Sequence, residues 1–333
     1  MIFRKYNSIE NVQRQKLVEQ IQIEHNDIEY YVQEKIHGSN FSFYYDGNIV
    51  KCAKRTSFIE DNEDFYGSEF IKLKYEKNII ELFKHLKNKM EVDSIVVFGE
   101  LYGGTYPHKD VEKTKASRVQ KGVYYSPDLE FAVFDIKIND DFVSLAEMVE
   151  LCSFSELPLI PVLKKGSLLE CLEYNNTFST TVPGRLHNLP EIDDNICEGV
   201  VIKPLSQRFF RTGSRVILKN KNEKFSEKKP RRTIDRTLTE VPENIKILIE
   251  EANRYITENR LKNVLSKTGS VKKEEFGKLL GMFCKDIFED FSKDFEEFKD
   301  LDKTDRKRVT GTINRGAANL IRPQFMNIID GNY

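Results

Sequence analysis

The stretch Glu34-Lys35-Ile36-His37-Gly38-Ser39-Asn40 sets a carboxylate, an amine and an imidazole within four positions. Its Lys-x-x-Gly pattern says little alone, because Lys278-Leu-Leu-Gly281 also fits it inside a predicted helix. A lone lysine in a loop is ordinarily just solvated. Other pieces follow in order. Lys54-Arg55-Thr56 ends a predicted hairpin, Val97-Phe98-Gly99-Glu100 ends an apolar strand, and Phe131-Ala-Val-Phe134-Asp135 ends another. Glu198-Gly-Val-Val-Ile-Lys203 carries an acid and a base at the two ends of one strand. Val216-Ile-Leu218-Lys219-Asn-Lys221 leads into alternating lysines, which share one strand face by the period of two. A nucleotide pocket needs such groups: a π-face, oxygen acceptors, and cations to meet negative charge developing on phosphate. Each also has a plain reading. Phe134 fits an ordinary core, Glu100 and Asp135 fit solvated strand ends, and His37 fits a structural histidine. Six such pieces in this order are hard to credit to chance.

The elements that must position these residues read as α+β. Tyr30 to Val32, Phe41 to Tyr45 and Ile49 to Ala53 are short β-branched and aromatic runs, and Asp46-Gly47-Asn48 reads as a hairpin turn. Phe70 to Met90 predicts a helix with Ile71, Leu73, Ile79, Ile80, Leu82, Phe83 and Leu86 at its apolar positions. Ile95 to Phe98, Phe131 to Ile138, Gly199 to Ile202 and Val216 to Leu218 predict further strands. Beyond Val241 the spacing turns helical: Ile245, Leu248, Ile249, Ala252, Tyr255 and Ile256, then Phe276, Leu279, Leu280, Phe283 and Ile287. The expected division is a catalytic unit over 1–235 and an all-α unit over 240–333. Between them, Lys219 to Arg232 holds seven basic residues against two acidic ones. That run fits a solvated linker, or a phosphate-binding edge followed by a domain boundary.

The bulk composition limits the partners. The 333 residues carry 52 basic and 53 acidic side chains, a formal net charge of −1. Any contact with nucleic acid must therefore use local positive charge. Hydrophobic residues at 39% and charged residues at 32% describe a globular chain. The five cysteines are odd in number, far apart and never in a CxxC pair, so they read as reduced thiols. Cys197, beside Glu198, raises an expectation of oxidant sensitivity. No apolar run approaches the ~18 residues of a membrane span. The start lacks the apolar stretch of a secretion signal. The expectation is a cytoplasmic monomer.

The ordered set resembles the covalent nucleotidyltransferase superfamily of ATP-dependent ligases and messenger-RNA capping enzymes. Within it the chain is similar to the RNA ligase 2 family of T-even phage and trypanosome RNA-editing ligases. Lys5-Tyr6-Asn-Ser-Ile-Glu-Asn11, Glu34-Lys-Ile-His-Gly38, Ala53-Lys-Arg-Thr56 and Lys224-Phe-Ser-Glu-Lys-Lys229 carry the likeness. Gly103-Gly-Thr-Tyr-Pro-His108 is similar to the editing-ligase branch. The likeness runs from residue 5 to about 230; beyond that only length and helical character match.

The resemblance implies an N-terminal, ATP-grasp-like adenylation domain of antiparallel sheets with helices, followed by a small helical domain. It implies that Lys35 forms a phosphoramide with AMP and releases pyrophosphate. A lysine amine attacks only when neutral, about one in a thousand at pH near 7.5 for an ordinary lysine, so nearby cations would help. It gives Phe134 the adenine, Glu100 the ribose, Arg55 a phosphate, and Lys219 and Lys221 the α-phosphate charge. Glu34, Ile36 and Asn40 fall among its nucleotide-binding positions, and His37 among its catalytic ones. Glu198 and Asp135 are the implied holders of hydrated Mg²⁺ or Mn²⁺. AMP would then pass to a 5′-phosphate end before a 3′-hydroxyl displaces it.

A helical tail, not the several strands of an OB-fold, favours the RNA ligase 2 type over DNA ligases and capping enzymes. The implied partner is nicked double-stranded RNA or an RNA–DNA duplex, and Arg254, Arg260, Lys262, Lys267, Lys272 and Lys273 are candidate phosphate contacts. A capping guanylyltransferase would use GTP instead. A non-catalytic binding module on the same scaffold would be expected to have lost Lys35, Glu198 or Lys219, and all three are present.

Overall fold

A computed structural model of the chain describes every residue except Asn26, Arg211 and 227–241. It divides into two compact units, Met1–Lys224 and Phe225–Tyr333. The sequence pattern puts the boundary near 235–240, which lies outside the described residues. The basic run is likewise described only as far as Ser226.

In the first unit the chain begins with β1 (Glu10–Asn11) and α1 (Gln15–Glu24), then β2 (Tyr30–Glu34), β3 (Ser39–Tyr45) and β4 (Val50–Lys54). Helix α2 (Glu69–Lys87) precedes the long strands β5 (Ile95–Thr105) and β6 (Ser126–Ile138) and the short β7 (Asp141–Phe142). Helix α3 (Leu145–Ser155), β8 (Val162–Gly166), α4 (Leu168–Leu172), α5 (Val182–His187), β9 (Gly199–Pro204) and β10 (Leu218–Lys221) complete the unit. The strands form two five-stranded sheets, ordered β1-β10-β9-β2-β8 and β4-β3-β5-β6-β7. Every pairing of these strands is antiparallel except β1 with β10.

Alternation explains the packing. On β3, Phe41, Phe43 and Tyr45 face one way and join a core with Ile71, Ile79, Leu82 and Leu86 of α2. The opposite face contributes Tyr44, which with Tyr6, Phe98 and Ile217 makes a second cluster, and Val201 of the other sheet packs against it. The other sheet backs onto α1 and α4 through Tyr30, Val32, Ile202, Leu218, Ile21 and Leu168. Leu73, expected among the apolar positions of α2, is instead exposed.

The chain passes from one sheet to the other between β2 and β3. Lys35, Ile36, His37 and Gly38 are that passage. The Lys-x-x-Gly stretch is thus tethered at both ends by strands with buried faces.

The second unit holds α6 (Glu243–Arg254), α7 (Glu258–Thr268), α8 (Phe276–Asp294), α9 (Lys303–Ile321) and α10 (Phe325–Ile329). Its own core runs through Ile245, Leu248, Leu261, Phe283, Ile287, Phe291, Val309 and Ile313. The described residues beyond Ser226 contain helices and turns without strands. No helix among the described residues is long and apolar enough to cross a membrane.

Candidate active site

Glu198 stands at the centre of the candidate residues. It precedes β9 and is almost completely buried. Lys35 Nζ donates to its Oε2 at 2.8 Å, and His37 Nδ1 lies 3.4 Å from the same oxygen. Lys221 Nζ lies 2.7 Å from Oε1. Burial opposes a charge on Glu198, but Lys221, Lys35 and His37 outweigh it and hold the carboxyl well below the usual carboxylate range.

The backbone fixes this arrangement. Lys35 N–H donates to Gly199 O at 2.9 Å, and Asn222 N–H to Glu198 O at 3.1 Å. Gly199 pairs with Lys221 across β9 and β10. It has φ of +142°, and a Cβ there would lie 2.2 Å from Asn220 O. Only glycine lets β10 come close enough for Lys221 to reach Glu198.

Glu100 lies opposite Asn40 in the pairing of β3 with β5 and accepts from Gly38 N–H at 3.2 Å. Burial pushes its carboxyl up to about 7, assisted by the charge of Glu198 and opposed by Lys35, Gly38 N–H and Arg55. Arg55, just past β4, is thereby within electrostatic reach of Glu100. Lys219 sits on β10 beside Asn11 and Val201, and Ile36 is buried in the passage between sheets.

Phe134 owes its position to an irregularity. Phe98 pairs with Asp135 and Gly99 with Val133, so Phe134 is the extra residue of a bulge in β6. Bulges re-aim side chains. Here the ring is only partly buried, 4.9 Å from the Tyr6 ring, with Lys203 Nζ 5.7 Å from its centre.

Asp135, expected as a metal ligand, is engaged otherwise. Both its oxygens face Arg215, at 2.9 and 3.0 Å, and Lys203 Nζ stands 3.3 Å away. The Tyr6 hydroxyl donates to it as well. Burial works against its charge, yet Lys203 and Arg215 keep the carboxyl below its ordinary value. Oδ2 takes three donors and Oδ1 one, so this carboxylate is the anion of an ion cluster with Arg215 and Lys203. Among the described residues no group of three His, Cys, Asp or Glu is arranged to hold a metal.

Glu34 is held by groups at the start of α5. Its side chain is buried on β2 and accepts from Thr180 Oγ1, Thr181 Oγ1 and Thr181 N–H, which fixes the start of α5. Cys197 is fully buried, and burial pushes its thiol up to about 11. A neutral thiol without access is inert, so the expected oxidant sensitivity has no basis at this residue. In the second unit, Arg260 is buried against Asp286 and Asp290, at 2.8 and 3.0 Å. It is part of that unit's structure and not a phosphate contact. Lys267 also pairs with Asp286, and Arg254 with Glu251.

The sequence pattern does not single out Tyr125, Thr180, Thr181 or Arg215, and it marks Tyr6 only as part of a family-like stretch. The Tyr125 hydroxyl accepts from His37 N–H at 2.8 Å across 88 positions of sequence, and no local signal announces such a partner.

Comparison with known proteins points the same way. An RNA ligase family model matches residues 28–221, and a model of the T4 RNA ligase 2 C-terminal region matches 239–319. The chain is 28% identical to the mitochondrial RNA-editing ligase 2 of Trypanosoma brucei brucei, over 98% of this chain and 92% of that protein. It is 33% identical to RNA-editing ligase 1 of the same organism, over 51% of this chain and 43% of that one. Among solved structures it is similar to an apo variant of Naegleria gruberi RNA ligase. The TM-score is 0.49 and the identity 16%, over 67% of this chain and 57% of that one. With the family model covering most of the two-sheet unit, and a second model covering most of the helical one, the chain belongs to the RNA ligase 2 family.

Proposed function

We propose that the chain is an ATP-dependent RNA ligase that seals 3′-OH/5′-phosphate nicks in duplex RNA or RNA-containing duplex. The carrying observation is the buried carboxylate of Glu198, which gathers Lys35, Lys221 and His37. Lys35 is the nucleophile of this reading. It sheds a proton to solvent, its nitrogen bonds the α-phosphorus of ATP, and the bond to pyrophosphate breaks. Lys221 and Lys219 offset the charge that grows on the phosphoryl oxygens. Phe134, turned out by its bulge, offers the purine a ring face, and Glu100 offers the ribose an acceptor. Ile36 and Asn40 flank the nucleotide on the passage and on β3, and Arg55 meets a phosphate. AMP then moves from Lys35 to a 5′-phosphate, and the 3′-hydroxyl displaces it.

Mg²⁺ or Mn²⁺ supplies further positive charge when bound. Glu198 is the carboxylate suited to meet it, with water and substrate oxygens as the other ligands, as small hard cations prefer. Asp135 and Glu34 support the pocket from behind. The free, mostly buried cysteines fit a reducing compartment such as the cytoplasm.

The test uses α-labelled ATP with Mg²⁺, followed by denaturation. Label is expected on the wild type and absent from Lys35→Ala, with no label from α-labelled GTP. The labelled protein is then given nicked RNA and nicked DNA duplexes. Label from GTP alone would make the protein a guanylyltransferase. Equal sealing of all-DNA nicks would defeat the RNA assignment.

A further inference from the structure

The twenty residues 106–125 join β5 to β6 without helix or strand. Connections of that length in a compact unit are uncommon, and are usually either linkers or functional loops. This one is no linker, because it is held at Tyr106, through Thr114 Oγ1, which donates to Pro127 O, and over residues 117–125. Tyr106, Val119, Val123 and Tyr125 are buried. Val119 N–H donates to Gly103 O at 3.3 Å. The Asn195 side chain clamps Tyr124, accepting from its N–H at 2.9 Å and donating to its carbonyl at 2.7 Å. Gly104, with φ of +87°, lets the returning chain pass so closely that a Cβ would stand 2.3 Å from Ser117 O.

The loop returns against the site. It leaves β5 at Thr105, which pairs with Ser126, and it comes back through Tyr125, whose hydroxyl accepts from His37 N–H. Between these anchors the exposed positions are strongly one-signed. Lys109, Lys113, Lys115 and Arg118 are all exposed, and among the described residues they take part in no ion pair. Arg118 only faces the Tyr124 ring, at 5.5 Å. The acids of the stretch are Asp110, which pairs with His108, and Glu112. In a chain of net charge −1, such a concentration on a backbone held in place is a local positive surface.

We propose that this loop is a docking surface for the phosphate backbone of the polynucleotide, engaging it through Lys109, Lys113, Lys115 and Arg118. The inference rests on the ligase reading above and extends it to residues outside the nucleotide pocket. A fixed backbone carrying cations suits a regular ladder of phosphates, since little order has to be gained on binding. The interaction carries no base specificity, because phosphates identify no sequence.

The test is a full-length variant, Lys109→Gln, Lys113→Gln, Lys115→Gln and Arg118→Gln together. A second variant removes four lysines of α2 (Lys77, Lys84, Lys87 and Lys89 to Gln, the last just past the helix) and matches it in net charge. Labelling by ATP is expected to stay within two-fold for both, which also reports that they fold. Binding to nicked RNA duplex is expected to fall at least ten-fold for the loop variant and under two-fold for the control. The slope of log affinity against log salt should shrink by about two to four for the loop variant alone, near one for each phosphate no longer neutralised. Equal affinity and slope in wild type and loop variant would overturn the proposal. So would equal losses in both variants, which would mean a diffuse field. If the loop variant lost polyglutamate binding but kept RNA binding, the proposal would fall and the surface would be one for acidic peptides. If the wild type took label from ATP but bound no polynucleotide, the ligase reading itself would fall, and this inference with it.

Discussion

At the scale of single residues, the site keeps two carboxylates in opposite states. Glu198 is held charged by Lys221 and Lys35 with a hydrogen bond from His37, while the carboxyl of Glu100, with less to offset its desolvation, is pushed up to about 7. An unfolded glutamate titrates near its ordinary value of about 4.3. Between that value and about 7 the folded chain binds more protons at Glu100 than the unfolded one. Stability from this group is thus present at low pH and is lost as pH rises toward 7. Glu100→Gln removes the ionisation yet keeps an oxygen for Gly38 N–H. The variant should match the wild type at pH 4 and exceed it by roughly 3 kcal/mol at pH 8, because a tenfold change in proton affinity is worth about 1.4 kcal/mol. Thermal melts across that range measure the difference. A difference independent of pH would mean that Glu100 titrates alike in the folded and the unfolded chain. What can be read from sequence at this scale is residue type. Lys35, Glu198 and Lys221 are each recognisable within a short apolar or glycine-bearing frame. The three-fold hold on one carboxylate is not, since Lys35 and Glu198 stand 163 positions apart.

At the scale of elements, the bulge in β6 matters most, because it places Phe134 on one side and Asp135 on the other. Asp135 belongs to the strand of one sheet. Lys203, on β9, belongs to the other sheet, and Arg215 lies shortly before β10. The ion cluster therefore joins the two sheets just behind the ring proposed to meet the purine. Such a buried cluster adds little net stability over an apolar core, but breaking it leaves an unpaired charge and costs about 3–5 kcal/mol. Arg215→Met should lower the melting temperature by about 10 °C, at roughly 2–4 °C per kcal/mol for a unit this size. Asp135→Asn should cost more, because it leaves both Lys203 and Arg215 without their counter-charge. Calorimetry of the two variants gives the order, and a shift below ~2 °C for both would show that water has replaced the pairing. The strands themselves are legible from apolar runs, as for β3, β5 and β6. Helix α3 is not, since its sequence is apolar on several sides and its period is faint. Its capping box, Ser144 with Glu147, is the available signal. Strand β8 is only partly buried along its length, so it carries no clear alternation.

At the scale of the whole molecule, chemistry and core are divided in the same way. Lys35, His37, Glu100, Phe134, Glu198, Lys219 and Lys221 all belong to the unit Met1–Lys224, which has its own cores. The helical unit has a separate core and a buried ion group of its own around Arg260. The change of period near Val241 makes this division visible in sequence, although nothing local tells that Arg260 faces inward. A chain ended at residue 240 keeps every group that the first chemical step requires. It should take label from α-labelled ATP within about five-fold of the full chain, a loss near 1 kcal/mol or less on the transition-state scale. It should seal nicks at least a hundred-fold more slowly, because the second unit is expected to supply part of the polynucleotide surface. Circular dichroism would first establish that the shortened chain is folded. Folded protein without label would mean that the helical unit completes the nucleotide site, and full sealing by the shortened chain would mean that the loop 106–125 and its neighbours hold the substrate unaided.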